Sequence, residues 1–148
     1  MRELLCGLLL AWLWLIPVAG AEDYLFPARP AGMGETRRLL IYGTTDLVAM
    51  RPLIEGFQQA RSRVAVTYAE LDSGVLYERF LQEQGSAGCC ADVLLSSAMD
   101  LQLKLANDGY AQPFTPGPER PVGEASWRDE VYGFTLEPAV IVYNKALV

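Results

Sequence analysis

Three short polar stretches are spaced so that they could act together. Thr44-Thr45-Asp46, Asp72-Ser73-Gly74 and Ser96-Ser97-Ala98 each follow a short apolar run and lead into residues with helical spacing. Hydroxyl groups beside the first N–H groups of a helix suit non-covalent capture of an anionic or strongly polar group, because those N–H groups are unpaired and carry partial positive charge. Capping is the plain alternative, since Ser, Thr and Asp are preferred helix N-caps. Ser97-x-x-Asp100 even has the form of a capping box. Yet capping asks for one polar residue per helix, whereas here pairs occur and large side chains are kept out, leaving backbone open to a ligand.

Covalent chemistry is poorly supported. The chain has no histidine, which removes the usual triads, the usual zinc sites and the commonest general base. No nucleophile stands at motif spacing from a base, so no enzyme is expected. Adjacent Cys89 and Cys90 invite the idea of a small exported thiol enzyme. Without a histidine or basic neighbour to lower a thiol pKa, they read as small apolar residues leading into a strand, at most oxidised to each other. Gly85-Ser86-Ala87-Gly88 lacks the lysine and spacing of a phosphate loop, and no cofactor is expected.

Elements that would position the polar stretches follow from periodicity. Leu39-Leu40-Ile41-Tyr42, Val64-Ala65-Val66-Thr67-Tyr68 and Val93-Leu94-Leu95 are short continuous apolar runs, as in buried parallel strands. Met50, Leu53, Ile54 and Phe57 recur at helical spacing, with Pro52 predicting a kink or short lead-in turn after Asp46. Further helices are expected over 75–84, with Leu76 and Phe80 on one face and Gly85 past its end, and over 98–108, closed by Gly109. Strand, polar turn and helix occurring three times imply right-handed crossovers and an α/β fold with a parallel sheet covered on both faces. All three polar loops then share one carboxyl edge, where ligands of such sheets gather. Pro113, Pro116, Pro118 and Pro121 mark a surface loop, after which strands are expected at 131–136 and 139–143.

Both ends carry further signals. Met1-Arg2, the apolar run Leu4 to Val18 and the small Ala19-Gly20-Ala21 read as a secretory signal peptide over 1–21. The run is shorter than the ~18 residues of a spanning helix and is followed at once by Glu22-Asp23. Residues 22–38, with Pro27, Pro30, Gly32 and Gly34 and no apolar period, read as a flexible lead. The net charge of −6 argues against nucleic acid and anionic membranes as partners, because both need a basic face.

The "IYGTTD" turn, "ADVLLSSAMD" and above all "VYGFTLEPAVIVYNKAL", placed after an export signal, resemble the N-terminal portion of a bacterial periplasmic solute-binding protein of an ABC transporter. Within that group the similarity is greatest to the branch for ferric iron and phosphorylated solutes, and it runs from about Leu39 to the end. The resemblance implies the three-layer, parallel-sheet lobe of a type II periplasmic binding protein. Lobe one would occupy 39–134, and 135–148 would be the first hinge crossing and the start of a truncated lobe two. Thr44, Thr45, Asp46, Ser73, Gly74, Ser96 and Ser97 would then line the ligand cleft, with Glu137 and Tyr143 near the hinge. Donor-rich loops favour an anionic or polar solute, while Asp46 and Glu137 could hold an amine or a metal. The resemblance further implies a small-molecule solute and ABC permease subunits as partners, or alternatively a membrane sensor kinase, and a periplasmic location. A single lobe with uncovered apolar surface would be marginally stable.

Overall fold

Alternating side chains decide which face of each strand is buried. A computed structural model describes residues 22–29, 37–86, 89–115, 125–133, 135–136 and 140–147. In order these form β1 (Glu22–Phe26), β2 (Arg37–Gly43), α1 (Leu47–Ala60), β3 (Val64–Glu70), α2 (Ser73–Glu83), β4 (Val93–Leu95), α3 (Met99–Asn107), β5 (Ser126–Trp127) and β6 (Val131–Tyr132). The main sheet has the order β1-β3-β2-β4. β2 runs parallel to both β3 and β4, with Ile41 opposite Tyr68 on one side and Val93 on the other.

From β2, Leu39 and Ile41 pack beneath α1 with Met50, Ile54, Val66 and Tyr68. Leu40 and Tyr42 face the opposite way and join Ala69, Leu71, Leu76 and Leu94. Each face of the sheet therefore has its own helix, α1 on one and α2 on the other, which is the doubly covered α/β arrangement expected. Val66 and Tyr68 are fully buried, and burial of such side chains contributes roughly 1.5–3 kcal/mol each. On the α2 face the Tyr42 hydroxyl donates to Glu83 Oε2 at 2.7 Å, while the Arg79 guanidinium lies 4.4 Å from the Tyr42 ring centroid. Burial, and then the Glu83 carboxylate, push the Tyr42 phenol up to about 12.

Three features depart from the sequence reading. Residues 22–26, expected to be part of a flexible lead, form an edge strand antiparallel to β3, from Glu22 opposite Glu70 to Phe26 opposite Val66. Tyr24 and Phe26 give it an apolar face, and the buried Gln58 Nε2 donates to the carbonyls of Phe26, Pro27 and Val64 at 3.0–3.1 Å, tying it down. Pro52 lies inside α1, beyond its first turn, without ending it. The carbonyl that loses its partner belongs to Val48, which is exposed and open to water.

The third departure is at the end of the chain. The strand expected at 131–136 is only Val131–Tyr132, paired with β5 across a turn in which Arg128 and Asp129 have positive φ. The strand expected at 139–143 is absent over its described residues, 140–143, where Ile141 is 95% and Val142 88% exposed. Branched side chains favour a strand only where a ladder partner and a covering face exist, and neither is present there among the described residues. Residues 1–21, which carry the export-signal reading, lie outside the described residues, as do Phe134 and Glu137.

Candidate functional site

Because β3, β2 and β4 are parallel neighbours, the loops that follow them emerge side by side. The loop after β2 is central. Its Thr44 N–H donates to Leu95 O at 3.0 Å, and Gly43 O accepts from Leu71 N–H at 2.9 Å, so the ladder continues into both flanking loops. The structure thus brings Thr44, Thr45 and Asp46, then Ser73 and Gly74, then Ser96 and Ser97 to one sheet edge. Tyr143 is not brought there: it is exposed in the closing segment, and no hydrogen bond or core cluster ties it to the loops among the described residues.

Gly43 and Tyr68 make the central loop possible. The Tyr68 ring leans along its strand so that its hydroxyl donates to the Thr45 carbonyl. A Cβ on Gly43 would lie 2.3 Å from that hydroxyl and 2.5 Å from the ring, so only glycine fits under it. Burial pushes the Tyr68 phenol up to about 12, and the charges of Glu70 and Asp46 push in the same direction.

Capping does not account for the polar side chains. Asp46, Asp72 and Ala98 are the N-caps of α1, α2 and α3, and no cap side chain bonds its helix. Ser97 is not a cap, and the expected capping box does not form. Instead the Ser96 hydroxyl accepts from Ala98 N–H at 3.1 Å, and Met99 N–H reaches Ser97 O at 2.8 Å. The first turn of α1 is served from another strand, because Glu70 Oε2 accepts the Leu47 N–H at 2.9 Å. Sequence reading missed Glu70, whose visible signal was a carboxylate closing an otherwise apolar strand on the loop edge.

Two cavities flank α1, and neither includes a residue of the three loops. Beside β1 lies a charged one of about 370 Å³ lined by Asp23, Arg29, Arg51, Glu55 and Gln58 among others. Toward β4 lies an apolar one of about 250 Å³ between Leu39, Leu53, Phe57 and Val93. The three loops form an edge of mostly small, partly exposed side chains. Ahead of β4, at the end of that strand away from the third loop, Cys89 and Cys90 are joined by a disulfide, and Gln84 Nε2 lies 3.2 Å from Cys90 Sγ. No helix among the described residues is long and apolar enough to cross a membrane.

A solved structure matches this architecture: the substrate binding protein of the ABC transporter from Agrobacterium tumefaciens, 38% identical, with a TM-score of 0.66 over 74% of this chain. The fold is part of a periplasmic binding protein fold. The chain spans about a third (32%) of that protein's length. No family model matches the sequence, and no curated protein does. Within the matched portion, the parallel sheet with helices on both faces is what this chain and the binding-protein fold share.

Proposed function

We propose that the chain is the first lobe of a periplasmic substrate-binding component of an ABC importer. It would hold a small polar solute at the carboxyl edge of its sheet and deliver it to membrane permease subunits. In this reading residues 1–21 are the export signal, 39–134 form the lobe, and 135–148 lead toward a second lobe and pair there as a strand. The observation that carries it is the meeting of three small polar loops at one sheet edge, in a fold matched at 38% identity by a transport receptor. Because that relative is a transport protein, transport is preferred over a sensor feeding a membrane kinase. Iron complexes and phosphorylated compounds, the solutes of the branch that the sequence resembles, are carried as candidates.

Thr44, Thr45, Ser73, Ser96 and Ser97 would supply hydroxyls, Gly74 open backbone, and Asp46 a carboxylate. Glu137 and Tyr143 would act only from the hinge. Calorimetric titration of the full chain with sugars, amino acids, amines, phosphate esters and ferric citrate tests the proposal. A solute that binds should lose affinity at least about tenfold, or ~1.4 kcal/mol, in Ser97→Trp, because the indole fills the edge. Unchanged affinity in both Ser96→Trp and Ser97→Trp would rule the loops out.

A further inference from the structure

The cavity of about 370 Å³ beside β1 has no part in the loop-edge reading, and its size is that of a small-molecule site. β1 and the residues after it supply Phe26 and Arg29 on one side, and α1 supplies Arg51, Glu55 and Gln58 on the other. The charges around it do not cancel. Asp23, which also lines it, is paired with Arg79 of α2 at 3.5 Å, and the Tyr24 hydroxyl already donates to Glu22. That leaves Arg29, Arg51 and Glu55. Arg51 and Glu55 are one turn apart on α1, yet no ion pair joins them, and among the described residues neither arginine has a carboxylate within ion-pair distance. In a chain with 18 acidic residues to 12 basic ones, a shortage of carboxylates does not explain two unpaired guanidiniums at one cavity. Both arginines are held in place: the Arg51 guanidinium lies 5.3 Å from the Phe26 ring centroid, and the Arg29 backbone N–H donates to Ser62 O at 2.6 Å.

A second observation is independent of charge. Gln58 lines the same cavity and is only 2% exposed. Its Nε2 donates to the carbonyls of Phe26, Pro27 and Val64, which fixes which end of the amide is the oxygen, and that Oε1 is buried without a hydrogen-bond partner. A buried acceptor with no donor is unfavourable, so this wall lacks a donor. We infer that the cavity is a second binding site, for a small hydroxy-dicarboxylic acid, separate from the solute assigned to the loop edge. The two carboxylates of the acid would take the forked donors of Arg29 and Arg51, and its hydroxyl would supply the donor that Gln58 Oε1 lacks. Guanidiniums on two separate elements suit two anionic groups better than one.

Calorimetric titration of the full chain with malate, succinate, inorganic phosphate and 1,4-diaminobutane tests the inference. Malate should bind, with affinity falling about tenfold in Arg51→Gln and again in Arg29→Gln, since each removes a charged donor. Succinate, which has no hydroxyl, should bind about fivefold more weakly than malate. Amide shifts on adding malate should gather from Phe26 to Arg29 and from Arg51 to Gln58. The inference is overturned if malate does not bind, if its affinity is unmoved in both variants, if succinate binds equally well, or if phosphate or the diamine binds more tightly. Malate shifts gathered at the three loops would overturn it too, while supporting the site proposed there.

Discussion

Residues 64–68 and 140–143 are built from nearly the same side chains and end up in opposite states. Val64-Ala65-Val66-Thr67-Tyr68 is a central strand with Val66 and Tyr68 fully buried, whereas Ile141 is 95% and Tyr143 66% exposed. β3 has a ladder neighbour on each side, β1 and β2, and α1 packed over its apolar face. The closing segment has none of these among the described residues. Strand propensity describes a fit to a pleated, half-buried surface and not an intrinsic conformation, so identical residue types give different outcomes when that surface is supplied or withheld.

Truncations in the two segments should break that symmetry most visibly. Tyr68→Ala should cost about 3–5 kcal/mol, as large-to-small core changes of aromatics do. Ile141→Ala should stay within about 0.5 kcal/mol, the range of surface changes. Urea midpoints of the full chain measure both. Comparable losses at the two sites would mean that 140–143 is covered after all.

Gly43→Ala sharpens the same contrast by testing how tightly β3 is packed over the site. The added methyl group meets the Tyr68 ring, and overpacking of this kind costs about 1–3 kcal/mol. Combined with Tyr68→Ala the two losses should be less than additive, because the double variant has no clash left to relieve. Gln58→Leu should cost about 1–3 kcal/mol by leaving the Phe26, Pro27 and Val64 carbonyls unserved. Its signature is local: amide exchange should quicken over Glu22–Phe26 before it does in β2.

The smallest effect lies in pH. Tyr42 and Tyr68 have folded-state pKa values raised to about 12, from an unfolded value of 10.0. Above pH 10 the unfolded phenols lose protons that the folded ones keep, so stability is fully present below pH 10 and falls as pH rises toward 12. Urea midpoints from pH 8 upward, followed with phenolate absorbance, should show the fall in the wild type and a weaker one in Tyr42→Phe.

Much of the sheet was legible because its strands are continuous apolar runs and its helices keep a 3.6-residue period, as with Met50 and Ile54 or Leu76 and Phe80. Polar loops at one edge followed from parallel order alone. β1 escaped because Glu22-Asp23 begins it, Pro27 ends it, and its partner, β3, lies some forty residues away in sequence. Glu70 escaped for a related reason: its bond to Leu47 is a tertiary contact with no spacing rule behind it. Val140 to Tyr143 misled in the other direction, since its composition announces a strand but says nothing about a partner.

The most direct test of the central claim, that solute binds at the carboxyl edge of β2, β3 and β4, is an amide shift map of the full chain recorded while a binding solute is added. The account predicts that perturbed amides gather at Thr44 to Leu47, Asp72 to Gly74 and Ser96 to Ala98. Shifts confined to the groove beside β1, around Arg29 and Arg51, with the three loops unmoved, would contradict it.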